Sequence, residues 1–285
     1  MLSSCYPDLD VQYVWIESDG DQQIHRPLDR DGKGLFTGTL EQALVERQAD
    51  VAVHSLKDVS IASAKGLTIA AVPQREVVHD CFIARGPASF EELPAGSIVG
   101  TASPRRAAQL RRLRTDLRIE PIRGNVETRL RKVLDMEEYD ATILAAAGLS
   151  RLGLHKHLKN AVPTELILPA PGQGALAIQS RSDDHVTLMR CMPLNQAAVA
   201  EAVHAERRIV EALGGDCHSP IAVLAEPLEW NGQPGTRIRA RVLSLSGAVC
   251  VTSDQRGPAT QISRLVDKVL AQLMESGAAT LLAHS

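Results

Sequence analysis

The sequence predicts an α/β protein with a parallel, doubly wound sheet and a separate, smaller α+β domain at its C-terminal end. Three observations lead there. Short apolar runs alternate with helix-length stretches through the middle of the chain, the order expected of strands joined by crossover helices. The 285 residues are 44% hydrophobic, enough for two or three separately cored domains. Beyond Asn195 the alternation stops, and a long helix, three strand-like runs and a closing amphipathic helix follow.

Taken in chain order, Gly38 to Arg47 reads as a short helix and Asp50 to His54 (DVAVH) as a strand rich in β-branched residues. From about residue 79 come the strand-like runs CFIAR and SIVGTAS, a helix from Pro104 to Arg114, the run LRIEPIRGN, a helix from Val126 to Met136, and YDATILAAAGL. Leu168 to Ser180 (LPAPGQGALAIQS) holds two prolines and two glycines ahead of an apolar run. It therefore reads as a loop and then a strand, able to return the chain to an earlier sheet. A helix from about Ala197 to Leu213 leads to the turn GGDCHSP, and the last helix spans Thr260 to Glu275. No fixed-period repeat is present, which excludes solenoids.

Composition narrows the function classes. A formal net charge of −3 argues against a general nucleic-acid binder, so any basic site is local. No apolar run approaches the roughly 20 residues that span a bilayer, and the opening MLSSCYPDLD lacks the order of a signal peptide, so a cytoplasmic protein is expected. Cys5, Cys81, Cys191, Cys217 and Cys250 are scattered and never form a C-x-x-C pair, and the histidines lack ligand spacings. Neither a disulfide framework nor a metal site is expected.

Ligands of open parallel sheets bind beyond the carboxyl ends of the strands, and the residues there are polar. Ser55, Lys57 and Asp58 follow DVAVH; Thr101, Ser103, Arg105 and Arg106 follow SIVG; Arg123, Gly124 and Asn125 follow IEPI. Ser103 before Pro104 is a helix-start signal. Arg105 and Arg106 in the first turn oppose the macrodipole, which costs stability unless an anion is bound there. The competing reading is a solvated basic face continued by Arg111, Arg112 and Arg114. DGKGLFTGT is not a phosphate loop, because Gly34 stands where Ser or Thr is needed. Lys33 is either a lysine over a cleft mouth or part of an ordinary turn. Asp58 is either half of an exposed ion pair with Lys57 or a cleft carboxylate that stabilises developing positive charge. Cys217, in a Gly-rich turn ahead of Pro220, is either an accessible nucleophile or an inert loop cysteine.

From about Leu28 onward the strings DGKGLF, DVAVHSLKD, GSIVGTASPRR, IRGNVETRL, YDATILAAAGLSRLGL, LPAPGQGALAIQ and GGDCHSPI occur in an order and spacing that resemble the porphobilinogen deaminase family. The resemblance implies a transferase that polymerises porphobilinogen stepwise, with loss of ammonia, into linear hydroxymethylbilane for tetrapyrrole synthesis. It implies a covalent dipyrromethane cofactor on a thioether from Cys217, with Asp58 as the catalytic carboxylate. Ser55, Lys57, Thr101, Ser103, Arg105, Arg106 and Gly124 match cofactor contacts. Arg105, Arg123 and Arg129 match residues that bind substrate carboxylates, and Lys33 and Phe36 fall in the matching loop near the active site. The implied fold is two doubly wound domains resembling type II periplasmic binding proteins plus a smaller α+β domain. Their expected bounds are 1–74 with 172–194, then 75–171, then 195–285.

The expected partner is the small-molecule substrate, with no nucleic acid and no membrane, and the expected state is a monomer. The chain departs from the family at its front, where an Arg-x-Ser-x-Leu-Ala type motif is absent. The first sheet is then expected to be one strand short, from a natural start upstream of Met1 or in an impaired chain. The rival classes are an anion-binding module of the periplasmic kind and an inactive homologue.

Overall fold

The computed structural model describes residues 1–16, 37–61, 64–216 and 218–283. The chain divides into two compact units, Met1–Glu76 with Ala175–Glu201 and Val77–Gly174 with Ala202–Ser285. The two units are described separately.

The first unit contains the short helix α1 (Leu2–Cys5), helix α2 (Gly38–Val45), and strands β1 (Ala52–Ser55) and β2 (Leu67–Ala71). The chain returns to it as β7 (Leu176–Arg181) and α6 (His185–Cys191). β7 lies between β1 and β2 and is antiparallel to both. The returning LPAPGQGALAIQS segment thus does what its pattern suggested, supplying the central strand of the sheet. Two small apolar clusters flank it, one around Leu44, Ala52 and Leu67 and the other around Ala71, Ile178, Cys191 and Leu194. Arg181, 5% exposed at the end of β7, gathers the backbone carbonyls of Leu44 and Ala49 with the carboxylates of Asp50 and Asp184, tying α2 and α6 to the sheet.

In the second unit, β3 (Asp80–Ala84), β4 (Ile98–Gly100), β5 (Arg118–Glu120) and β6 (Ala141–Ala145) form one sheet in the order β3-β6-β4-β5. β4 is parallel to β5 and β6, but β3 is antiparallel to β6. This sheet is therefore mixed, and that of the first unit is antiparallel throughout, where the sequence predicted parallel sheets. The reason is that a buried apolar run reads the same in either direction, so direction is set by the connection and the neighbours, not by the strand's own residues. Helices α3 (Pro104–Leu113), α4 (Val126–Leu134) and α5 (Ala146–Arg151) follow β4, β5 and β6. One core cluster holds Phe82, Val99, Leu110, Ile143 and Ile167, with Phe82 and Phe90 edge to face at 4.6 Å, and a second holds Cys81, Leu130, Leu144 and Leu149.

Helix α7 (Ala197–Ala212) leads into a three-stranded antiparallel meander, β8 (Ile221–Trp230), β9 (Gln233–Leu243) and β10 (Cys250–Pro258), followed by α8 (Ile262–Glu275) and α9 (Ala278–Ala283). The 3.6-residue period of α8 buries Ile262, Leu265, Val266, Val269 and Leu273 along one stripe. The β9–β10 turn sits on α3: Arg111 donates to the Leu245 carbonyl at 2.8 Å and Arg112 to that of Ala248 at 3.4 Å. Gly247 makes this approach possible. Its φ is +75°, and a Cβ there would meet the backbone oxygen of Ala108 and the backbone nitrogen of Arg112. Gly247→Ala is expected to cost roughly 2–4 kcal/mol, from the left-handed backbone and the collision together, read as a lower urea midpoint with an unchanged m-value.

Candidate active site

The predicted site residues fall into two groups, one in each unit. In the first, β1 ends at Ser55 and passes directly into a single 3₁₀ turn, Leu56–Asp58. Leu56 is buried at 1% exposure and its N–H bonds the Ala175 carbonyl at 3.0 Å, so the turn is anchored through its apolar member. Ser55 and Lys57 are half-buried, while Asp58 is exposed. Beneath this turn lies a polar brace that sequence reasoning missed. His54 is buried, its Nε2 lies 2.9 Å from Gln179 Oε1, and the Gln179 amide donates to Glu41 Oε1 at 3.1 Å. With that amide orientation, His54 donates from Nε2. Burial pushes the imidazole below its ordinary pKa against the opposing pull of Gln179, Glu41 and Asp58, which keeps the ring neutral. The two-residue period of the strand is the signal that could have found it, since it places His54 on the same inward face as Ala52.

The second group collects at one edge of the β3-β6-β4-β5 sheet. Thr101 follows β4, is 6% exposed, and extends the ladder by donating its N–H to the Glu120 carbonyl at 2.8 Å. Its Oγ1 accepts from Ser103 N at 3.2 Å, and Ser103 caps α3 by accepting from Arg106 N at 3.4 Å, with Pro104 at the first helical position. After β5, Gly124 has a φ of +105° and a Cβ there would run into Thr128. Asn125 caps α4 by accepting from Thr128 N at 2.8 Å, and Arg129 donates from Nε to the Gly124 carbonyl at 2.7 Å. Arg123 and Arg129 are half-buried.

Arg105 and Arg106 differ from the solvated face that was the competing reading. They are 4% and 6% exposed, and both reach the carboxylate of Asp80. The first-turn arginines required an anion, and the chain itself supplies one. Arg105 also donates to the Leu168 carbonyl at 2.5 Å, and burial pushes its guanidinium down to a pKa of about 10 against the pull of Asp80. The loop that follows Leu168 is held from both sides. Gln173 donates to the Val78 carbonyl at 2.6 Å and to Asp80 Oδ1 at 2.9 Å. Glu206, fully buried on α7, accepts from Gly172 N at 2.6 Å and from Ala225 N at 2.8 Å. A carboxylate in a run as apolar as DCFIA was the sequence signal for Asp80; Glu206 had no comparable mark in its helix.

Arg111, Arg112 and Arg114, the continuation of the supposed basic face, hold backbone carbonyls. Arg114 closes on those of Phe90 (2.7 Å) and Leu93 (3.0 Å) and on Asp116. Lys33, Phe36 and Cys217 lie outside the described residues. Among the described residues no group of three or more His, Cys, Asp or Glu side chains is placed to hold a metal ion, and no helix is long and apolar enough to cross a membrane.

Residues 1–189 match the family model described as porphobilinogen deaminase, dipyromethane cofactor binding domain. The chain belongs to the porphobilinogen deaminase family. The match begins at the first residue, well ahead of Leu28, where the recognisable strings start. A porphobilinogen deaminase of Desulforudis audaxviator is 42% identical over 284 residues, covering 99% of this chain and 90% of the relative. One of Ralstonia nicotianae is 43% identical over 286 residues, covering 99% of this chain and 84% of the relative. Among solved structures, a lipoprotein of the YaeC family from Enterococcus faecalis is 17% identical with a TM-score of 0.31, covering 57% of this chain and 69% of that one, too slight a likeness to bear on fold or function.

A His held neutral by burial has its folded pKa below the unfolded value near 6.5. The unfolded chain then binds more protons than the folded one as pH falls through that value, so the stability contributed by neutral His54 is present above it and lost on acidification. The urea midpoint is expected to fall between pH 7.5 and 5.5 more steeply in the wild-type chain than in His54→Gln; parallel pH profiles would show that His54 is not the group responsible.

Proposed function

We propose that this chain is a hydroxymethylbilane synthase, the transferase that joins porphobilinogen units into linear hydroxymethylbilane in tetrapyrrole synthesis. The observation that carries this is the match of residues 1–189 to the family's dipyrromethane cofactor-binding domain, with relatives named porphobilinogen deaminase aligned over 99% of the chain. Its cofactor is dipyrromethane, and the anchor in this reading is Cys217 through a thioether. When bound, the dipyrromethane supplies the free α-carbon to which incoming pyrroles are added.

The residues at the sheet edge of the second unit fit such a group. Acetate and propionate arms are anions, and Thr101, Ser103, Arg105, Arg106, Arg123 and Gly124 place a capped helix N-terminus and guanidinium groups at the ends of β4 and β5. The Nε of Arg105 is buried without a hydrogen-bond partner among the described residues. Arg105, Arg123 and Arg129 hold the carboxylates of substrate, and Lys33 and Phe36 are assigned to substrate binding with them. In the first unit, Ser55 and Lys57 contact the cofactor. Asp58, the exposed carboxylate at the end of an anchored turn, accepts hydrogen bonds from pyrrole N–H groups. It stabilises the positive charge that develops on the substrate as its aminomethyl nitrogen leaves as ammonia, the methylene carbon staying on the pyrrole.

In domain terms, we read 1–74 with 172–194 and 75–171 as two doubly wound domains of the type II periplasmic-binding kind, and 195–285 as the smaller domain bearing Cys217. The return of β7 to the first sheet and the antiparallel meander closed by α8 support that division. The same reading makes the protein a cytoplasmic monomer whose partner is porphobilinogen and not nucleic acid.

The intact mass of the purified chain, with and without added porphobilinogen, tests this directly. A covalent dipyrrole and a ladder of pyrrole additions are expected, and a bare mass in both samples would overturn the assignment. Cys217→Ser is expected to carry no covalent pyrrole. Asp58→Ala is expected to keep the dipyrrole but lose about 100-fold or more in kcat. Undiminished turnover would take Asp58 out of the chemistry, and a retained pyrrole in Cys217→Ser would move the anchor elsewhere.

A further inference from the structure

Asp80 opens β3, a strand otherwise made of Cys81, Phe82, Ile83 and Ala84, and its carboxylate is fully excluded from solvent. A buried carboxylate stays ionised only where opposite charge and hydrogen bonds replace water. Here Arg106 grips it with a two-point fork, Nε to Oδ2 at 3.1 Å and Nη2 to Oδ1 at 2.6 Å, while Arg105 Nη2 reaches Oδ2 at 3.0 Å. Gln173 Nε2 reaches Oδ1 at 2.9 Å and fixes the remaining side. The site is built by strand direction. Because β3 runs antiparallel to β6, Asp80 pairs in register with Ala145, the last residue of β6, and so comes to the edge where β4 and β5 also end and α3 begins.

The charges do not cancel. Two guanidinium groups face one carboxylate, so the trio of Asp80, Arg105 and Arg106 sums to one positive charge. It lies in the first turn of α3, where the macrodipole adds to it. Without Asp80 the two guanidinium groups, on consecutive residues, would repel each other and lose the fork that sets their rotamers. With it they are fixed, and one unit of positive charge is left over. Arg105 Nε, buried and without a hydrogen-bond partner among the described residues, points to the same surplus on the donor side.

We propose that Asp80 is a positioning residue for the cofactor site: it holds the Arg105 and Arg106 guanidinium groups beneath the N-terminus of α3 so that their remaining positive charge meets a carboxylate arm of the dipyrrole. This rests on the reading above that these arginines answer the cofactor. It adds that a residue touching neither cofactor nor substrate sets how well they do so.

The test is the rate at which cofactor-free chain, given porphobilinogen, acquires the covalent dipyrrole. It is followed by intact mass and normalised to the folded fraction from circular dichroism. Asp80→Asn is expected to load at least about 10-fold more slowly, and Arg106→Gln likewise. The double variant is expected to lose less than the product of the two single losses, because Asp80 acts in part through Arg106 and otherwise only through Arg105. A merely structural carboxylate would lower the urea midpoint and leave the loading rate per folded molecule unchanged; that result, or losses that multiply in the double variant, overturns the proposal. If Asp80→Asn does not fold, Gln173→Met removes one hydrogen bond to Asp80 without changing charge. It is expected to slow loading about 2- to 5-fold, and wild-type loading by this variant equally overturns the proposal. A wild-type chain that never acquires a dipyrrole overturns the functional reading itself, a result distinct from a wild-type chain that loads beside an indifferent Asp80→Asn.

Discussion

Shutting a carboxylate away from water forces its surroundings to answer it, and the second unit is laid out around that demand at Asp80. The answer comes from three directions: two arginines in the first turn of α3 and the Gln173 amide in the loop after Leu168. Arg105 and Gln173 each have a second attachment. Arg105 and Gln109 bind the Leu168 carbonyl, and Gln173 binds that of Val78. Next to Gln173, the N–H of Gly172 is held by Glu206, which also holds Ala225 in β8. Helix start, loop and the strand β8 are thereby joined through two buried carboxylates.

The arginines of this unit show how one sequence pattern can carry several physical roles. Arg105 and Arg106 are buried against Asp80, Arg111 and Arg112 hold the β9–β10 turn, and Arg114 closes the segment around Phe90 and Leu93. Arg123 and Arg129 stay half-buried at the ends of the strands. A guanidinium group has five donors in a rigid fork, so it can serve as a multi-point backbone staple as readily as an anion receptor. Counting the positive charge of the stretch from 105 to 131 therefore overstates what is available to a ligand.

The first unit separates an exposed carboxylate from its support in the same way. Asp58 is exposed on a turn whose neighbour Leu56 is locked into the core, while the polar work of bracing the strand behind it falls to His54, Gln179 and Glu41. Gln179 comes from β7, the strand that returns after the whole of residues 77–174 has been traversed. The brace under Asp58 depends on a contact between residues 125 positions apart, which no local reading of DVAVHSLKD contains.

Much of the fold was legible because local patterns follow local physics. The helix starts at Ser103-Pro104 and Asn125 are read from capping chemistry, and the stripe of α8 from its 3.6-residue period. The short strand β2 and helix α6 escaped notice, since their few apolar residues resemble any loop with two or three hydrophobic side chains. By itself the sequence determined the type and order of most elements, the family, and which polar residues stand at strand ends, since these depend on neighbours within a turn or two. Only the tertiary structure decided that β3 runs antiparallel, that Asp80 meets Arg105 and Arg106, and that Glu206 and Gln179 hold segments distant in the chain. Strand direction and the pairing of buried charges are settled by which segments come to share a sheet edge, and that is a property of the folded chain as a whole.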